Sequence, residues 1–105
     1  MSNKLEYVDV IVPLSVNDTY QYAIEKSKKI QVGQRVVVQF GIKKQYTAIV
    51  VNVTNQKNKK FKIKNVISVL DKEPIITDKQ IEFWKWISDY YLANIGDVMN
   101  AALPN

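Results

Sequence analysis

The chain has 105 residues, a net charge of +5 and neither histidine nor cysteine, which excludes disulfides, thiol nucleophiles, histidine acid–base chemistry and the usual zinc sites. A hydrophobic content of 47% and a charged content of 24% are typical of a small globular domain, and no apolar run approaches the roughly 20 residues of a membrane span. We therefore expect a cytoplasmic protein that does not enter a membrane and that carries no catalytic or metal site.

The positive charge is confined to one part of the chain. Residues 1–70 carry twelve lysines and arginines against four acidic residues, whereas residues 71–105 carry three against six. A concentration of lysine of this kind indicates a polyanionic partner, but lysines that merely keep a small domain soluble would give the same count. The charge alone leaves both interpretations open.

The first part of the chain predicts short strands rich in β-branched and aromatic residues. They are expected at 7–12, 19–23, 35–40, 46–53 and 64–70. Turn-forming residues separate them, among them Gly33, which can adopt a conformation that other residues resist. Short strands at close spacing with no helix between them predict a small antiparallel barrel or sandwich.

The second strand contains an alternation that separates its two faces. In the stretch DTYQY at 18–22, Tyr20 and Tyr22 share one face of a strand and Gln21 projects from the other. We expect Tyr22 to face the core.

The pattern changes to helical periodicity after Asp71. A stiff connector at Glu73-Pro74 precedes a capping box formed by Thr77 and Gln80, and the helix is expected to run to about Leu92. One stripe of this helix follows helical spacing and contains Ile81, Trp84, Ile87 and Tyr91. An adjacent stripe is aromatic and contains Phe83, Trp86 and Tyr90. We assign Trp84 and Trp86 to packing. A second helix is expected in GDVMNAAL at 96–103, ended by Pro104.

The chemistry open to this chain is binding. Its glycines form no phosphate-binding loop, so we expect no nucleotide hydrolysis within these residues. Single-stranded nucleic acid is bound by cations along its backbone and by rings under its bases. Basic turns at 41–44 and 55–64 lie among candidate rings, namely Tyr20, Tyr22, Tyr46 and Phe61. Core packing of those rings and a solvated lysine loop are the alternatives.

A succession of motifs along the chain resembles a known family. The motifs are V-P-L (12–14), T-Y-x-Y (19–22), V-G-x-R-V-x-V-x-F-G (32–41), A-I-V (48–50), V-L-D-x-E-P (69–74), W-x-x-x-Y-Y (86–91) and G-D-V-x-x-A-A-L-P (96–104). Together they resemble the N-terminal 3′-end DNA-binding domain of the primosomal replication-restart helicases of the PriA family.

The resemblance implies an α+β fold, a mostly antiparallel OB-like β-barrel at 1–70 followed by a helical extension at 71–105. It implies a domain of a longer protein that is not itself an enzyme, with ATP, Mg and Zn expected only in the helicase part. The implied function is to hold the 3′ end of the nascent leading strand at stalled forks. Implied partners are single-stranded or forked DNA with a free 3′ end, the helicase lobes of the same protein and other primosome proteins.

The family's pocket for the terminal nucleotide maps onto Tyr20, Gln21, Gly41 and Lys64. The resemblance implies that the Tyr20 ring packs on sugar or base, that Gly41 admits the ribose and that Lys64 reaches its hydroxyl or the phosphate. Gln21 faces the pocket and stands where the family has an aspartate that bonds a base edge. Auxiliary phosphate contacts are expected from the neighbouring lysines Lys43, Lys44, Lys57, Lys59, Lys60 and Lys62.

Two alternative functions remain open from the sequence. The aromatic stripe of Phe83, Trp86 and Tyr90 is compatible with a protein-docking module that packs on the helicase body or a primosome partner. A basic barrel is also compatible with RNA, which a protein distinguishes from DNA by the 2′ hydroxyl.

Overall fold

A computed structural model describes residues 5–58 and 62–103. Six strands form one curled sheet in the order β5-β2-β1-β4-β3-β6. All neighbouring strands are antiparallel except β2 and β5, which run parallel. The strands are β1 (Leu5–Ile11), β2 (Tyr20–Glu25), β3 (Arg35–Phe40), β4 (Lys44–Thr54), β5 (Lys64–Asn65) and β6 (Ser68–Val69), with a short 3-10 helix at Lys26–Lys28.

Residues 64–69 join the two edges of this sheet. The Val66 amide donates to the carbonyl of Ala23 in β2, and the next amide, that of Ile67, donates to the carbonyl of Val37 in β3. The prediction of one strand at 64–70 was therefore wrong in detail, because the segment crosses from one edge strand to the other and forms two short strands. The sheet curls into a half-barrel, which is consistent with the OB-like barrel that the family resemblance implies.

The long apolar runs of the central strands arise because both faces of those strands are buried. Val10 and Val50 point into the barrel, whereas the neighbouring Ile11 and Ile49 point to the opposite face. A core of valines, isoleucines, Ala48 and Tyr22 fills the barrel. A second core lies between the outer face of the sheet and the helices: Ile11, Ile49, Ile76, Ile81, Trp84, Ile95 and Met99.

Two helices follow the barrel, α1 (Asp78–Tyr91) and α2 (Ile95–Ala102). The predicted capping box is confirmed, because the Thr77 hydroxyl accepts from the Gln80 amide and the Gln80 side chain accepts from the Thr77 amide. Helix α1 ends at Tyr91, close to the predicted end at about Leu92, and Leu92 caps it in the left-handed conformation. Pro104 lies outside the described residues. Within the described ranges neither helix is long and apolar enough to cross a membrane.

The aromatic residues of α1 divide differently from the sequence prediction. Trp84 is 4% exposed and belongs to the second core, but Trp86 is 55% exposed, so its assignment to packing was wrong within this chain. Tyr91 is 68% exposed, although it shares the periodicity of Trp84. The small Ser88 is buried at the last covered position of the helix, where its hydroxyl donates to the Ala93 carbonyl. The chain turns away at that point, and Tyr91 lies beyond it.

Gly33 connects the barrel to the helical part. Its φ of 96° confirms the expected turn conformation, and its carbonyl accepts from the amides of Ile75 and Ile76. A Cβ at this position would collide with the Ile76 carbonyl oxygen. The segment that leads into α1 therefore packs directly on this turn.

Candidate functional site

A cavity of about 440 Å³ lies beside the start of β2 and contains all four residues that the family pattern selected. It is bounded by the end of β3 with the following turn, and by the segment that leads into β5. The lining residues are Asp9, Asp18, Thr19, Tyr20, Gln21, Tyr22, Gln39, Phe40, Gly41, Asn58, Lys62, Ile63 and Lys64. Because β5 pairs with β2 only from Tyr22 onward, the cavity occupies the edge of β2 that precedes this pairing.

The two tyrosines of β2 have different environments. Tyr22 is buried in the barrel core, as predicted, and its hydroxyl donates to the Gln39 carbonyl at 2.7 Å. Burial raises the pKa of Tyr22, and the neighbouring Tyr20 adds to the increase. Tyr20 is half-buried and packs edge to face on Phe40, with ring centroids 4.8 Å apart. Tyr20 thus forms an aromatic wall of the cavity together with Phe40.

The side-chain amide of Gln21 binds the loop that follows β4. Its Nε2 donates to the Gln56 carbonyl at 3.1 Å, and its Oε1 accepts from the Asn58 backbone amide at 2.6 Å. Gln21 lines the cavity, and both ends of its amide are engaged by residues 56–58. The side chain therefore holds one wall of the cavity in place.

Gly41 and Lys64 meet on the opposite side of the cavity. The Lys64 ammonium donates to the Gly41 carbonyl at 3.2 Å, which connects the turn after β3 to the start of β5. An ammonium has three N–H donors, so this bond leaves two for another acceptor. Gly41 has a φ of 81°, and a Cβ placed there would meet no protein atom within 4 Å. The backbone at Gly41 is consequently open to a close approach from outside.

The auxiliary lysines surround this cavity to different degrees. Lys62 lines it. Lys43 is exposed on the turn after β3, Lys44 is exposed at the start of β4, and Lys57 is exposed on the loop that Gln21 binds. Lys59, Lys60 and the ring of Phe61 lie outside the described residues. Tyr46 is half-buried on β4 and does not line the cavity.

Sequence reasoning did not select two carboxylates that line the cavity, those of Asp9 and Asp18. Asp18 lies two residues before β2 in the sequence, so its proximity to the cavity could have been predicted. Asp9 lies opposite Gln21 in the pairing of β1 with β2, which no local pattern reveals. The only signal for Asp9 was a charge inside an otherwise apolar strand. The cavity is therefore mixed in charge, with Lys62 and Lys64 facing two acids.

Helix α1 presents a second feature, a ladder of exposed rings. Trp86 stacks on Phe83 at 6.2 Å and on Tyr90 at 5.0 Å, measured between ring centroids, with interplanar angles of 9° and 12°. Each ring is more than half exposed. We call Phe83, Trp86 and Tyr90 the aromatic ladder. It lies on α1 outside the cavity lining.

The comparisons with known proteins all find similarity to the same family of proteins. The model of the family described as "3'DNA-binding domain (3'BD)" of PriA matches residues 9–104. The chain is 31% identical to Replication restart protein PriA of Haemophilus influenzae over 96% of its length. It is 32% identical to that of Buchnera aphidicola over 92%, and 31% identical to that of Rickettsia prowazekii over 90%. The chain spans about 14% of the length of each of these relatives.

Proposed function

Because the chain belongs to the family of 3′ DNA-binding domains of PriA, we propose that its cavity holds the 3′-terminal nucleotide of a DNA strand, the nascent leading strand at a stalled fork. The observation that carries this proposal is that Tyr20, Gln21, Gly41 and Lys64 line one cavity although they come from three separate parts of the chain. The cavity volume lies in the range of small-ligand sites, about 300–1,000 Å³.

Each side of the cavity suits one part of a terminal nucleotide. The Tyr20 ring, supported by Phe40, offers an apolar wall to a base or sugar. Gly41 allows the ribose to approach the backbone. Lys64 offers two further N–H donors to a hydroxyl or phosphate oxygen, and charge-assisted bonds of this kind are the strong ones.

The acids in the cavity favour a free hydroxyl over a phosphate at the end of the strand. A terminal phosphate carries about two negative charges close to Asp9 and Asp18, and like charges repel. A hydroxyl is neutral, and it can both donate and accept a hydrogen bond. The domain therefore discriminates between free and blocked ends by charge.

Fluorescence anisotropy tests the proposal directly. A short single-stranded DNA labelled at its 5′ end is titrated with the chain, once with a 3′ hydroxyl and once with a 3′ phosphate. We expect tighter binding of the hydroxyl form, and weaker binding of that form in Lys64→Ala, which removes a hydrogen-bond donor to the terminal hydroxyl. Lys79→Ala is the matched control, because it removes the same charge from the exposed face of α1.

The outcomes distinguish specific binding of the strand end in the cavity from general binding of DNA to a basic surface. Equal affinity for the two ends would contradict recognition of the 3′ end, whatever the total affinity. A uniform loss of binding in both lysine variants would indicate a general charge effect. Tighter binding of an RNA strand of the same sequence would favour the RNA alternative, since only RNA offers 2′ hydroxyls.

The aromatic ladder supports a second function, docking of this domain on the remainder of the same longer polypeptide. Three stacked rings at the surface form an exposed apolar patch, and patches of this kind mark interaction sites. Most of the length of the PriA relatives lies outside the matched region, which supplies a partner in the same chain. The excess of acidic residues in 71–105 disfavours DNA on this face.

Hydroxyl-radical footprinting tests this docking. Oxidation of Trp86 and Tyr90 is measured by mass spectrometry in the isolated domain and in the full-length protein. We expect protection of both rings in the full-length protein, and unchanged oxidation of Tyr46, which lies on β4 and does not belong to the ladder. Equal oxidation of the ladder in both proteins would contradict docking on the same polypeptide.

A further inference from the structure

Two side chains project into the cavity from directly opposite positions of neighbouring strands. Asp9 of β1 pairs with Gln21 of β2, and both line the cavity. Directly opposed residues of an antiparallel pair have Cβ atoms about 5 Å apart on the same face of the sheet. A ligand that reaches one of these side chains is therefore within reach of the other.

Gln21 has limited capacity to recognise a ligand, because the loop occupies its amide. One N–H donates to the Gln56 carbonyl, and the oxygen accepts from the Asn58 backbone amide. A new bond to a ligand would use the one remaining N–H or a second lone pair, in a direction that the loop already fixes. Gln21 is thus a positioning residue for the cavity wall formed by residues 56–58.

Asp9 is oriented from its other side. The Asn52 side-chain amide on β4 donates to Asp9 Oδ2 at 3.0 Å. Within residues 5–58 and 62–103, no hydrogen bond reaches Asp9 Oδ1. The pairing of β1 with β4 shifts register between Asp9 and Val10, and an irregularity of this kind in a strand pair re-aims the side chain beside it. The carboxylate is therefore held in a fixed orientation with one oxygen available.

We propose that Asp9 reads the terminal base and sets a preference for bases that carry an amino group; this rests on the proposed 3′-end function. A carboxylate accepts hydrogen bonds and donates none. Adenine, cytosine and guanine each present an exocyclic amine to it. Thymine has only an imino N–H between two carbonyl oxygens, which repel the carboxylate. A hydrogen bond to a charged acceptor corresponds to about a tenfold preference against thymine.

Four DNA strands that differ only in the 3′-terminal base provide the test. Their affinities are compared for the wild-type chain, Asp9→Asn and Asn52→Ala. Asp9→Asn places a donor beside an acceptor, so the tenfold discrimination against thymine should disappear. Asn52→Ala keeps the carboxylate but removes its orienting bond, so the discrimination should fall without a change in net charge.

Asp18→Asn is the charge-matched control, because it neutralises a second carboxylate that lines the cavity. If only the charge near the strand matters, both aspartate variants will change all four affinities alike. We expect Asp18→Asn to keep the ranking of the bases and Asp9→Asn to lose it. Circular dichroism melts of each variant identify a purely structural effect of Asp9, which would lower stability and leave the ranking intact.

The results distinguish a failure of the role proposed for Asp9 from a failure of the proposed 3′-end function. Preference for a 3′ hydroxyl over a 3′ phosphate together with an equal ranking of bases in wild type and Asp9→Asn would overturn the role of Asp9 alone. A wild-type chain with no base preference would overturn it as well. Absence of any end preference would instead contradict the proposed function.

Discussion

The ion pair between Arg35 and Asp71 should make a large contribution to the stability of this small domain, and Asp71→Asn tests it. Asp71 accepts from the Arg35 guanidinium at 2.8 and 3.0 Å and from the Arg35 backbone amide at 3.0 Å. The Leu70 amide donates to the Arg35 carbonyl in return. These bonds extend the pairing of β3 beyond β6, where the barrel meets the helical part.

The size of the expected loss of stability follows from the solvent exposure of the two side chains. The Asp71 side chain is 10% exposed and that of Arg35 is 42% exposed, so solvent screens the guanidinium side of the pair. A screened ion pair contributes at most about 1 kcal/mol, and a charged acceptor for a backbone amide contributes at least about 1.5 kcal/mol. Asparagine removes the charge and replaces one of the two acceptor oxygens by an NH2 group that faces the Arg35 donors, so Asp71→Asn should lower the free energy of unfolding by about 2–3 kcal/mol. For a domain of this size that corresponds to about 10–20 °C in Tm.

The same contact gives a pH dependence with a definite sign. Hydrogen bonds from the Arg35 side chain hold the pKa of the Asp71 carboxyl below its ordinary value, while burial acts in the opposite direction. A group whose pKa is depressed on folding contributes fully above its unfolded pKa, about 3.9 for aspartate. Its contribution is lost as the pH falls through the lower, folded value. The difference between wild type and Asp71→Asn should be constant near neutral pH and should shrink below about pH 4.

Urea denaturation at pH 7 and pH 3 measures both effects. Glu82→Gln is the control, because it neutralises an exposed acid on α1. A loss below about 0.5 kcal/mol at pH 7, the range of ordinary surface substitutions, would refute the assigned role of the ion pair. A difference that stays constant down to pH 3 would refute the electrostatic explanation.

Three further predictions concern other contacts of the fold and of the cavity. Gly33→Ala should lower stability by at least about 2 kcal/mol in thermal melts, because a positive φ and the Ile76 carbonyl both oppose a Cβ. Trp84→Ala should cost about 3–5 kcal/mol, whereas Trp86→Ala should cost about 1 kcal/mol, since only stacking is lost at the exposed ring. Lys64→Ala should reduce the slope of log affinity against log salt by about 0.7 for single-stranded DNA in anisotropy titrations, and an unchanged slope would mean that Lys64 does not replace a counterion.

The sequence predicts those elements whose signals are local. β3 has the predicted bounds, and β4 extends the predicted 46–53 by two residues at one end and one at the other. Helix α1 begins at the predicted capping box. The crossing at 64–69 was missed because a run of β-branched residues favours a strand wherever it finds a partner. Which partner it finds depends on the curvature of the whole sheet.

The site was predictable only in part, and for a physical reason. The family pattern selected residues that line one cavity, yet it could not show that the Gln21 amide is held by the loop or that Asp9 lies opposite. The exposure of Trp86 was missed for a similar reason. Periodicity places Trp84 and Trp86 on two adjacent stripes, and only the packing of α2 and the sheet decides which stripe is covered.

At the start of β2, three consecutive residues show how core packing, side-chain alternation and strand pairing together determine the site. Tyr22 is fixed in the core by burial and by its bond to Gln39, and this anchors the register of Gln21 toward the loop. Tyr20 belongs to the inward face by alternation, but β5 pairs with β2 only from Tyr22, so the ring of Tyr20 remains beside an unpaired strand edge. A slip of one residue would bury Gln21 and expose Tyr22. The core that stabilises the barrel therefore also sets the geometry of the cavity, and variants at Tyr22 should lower stability and disturb the cavity together.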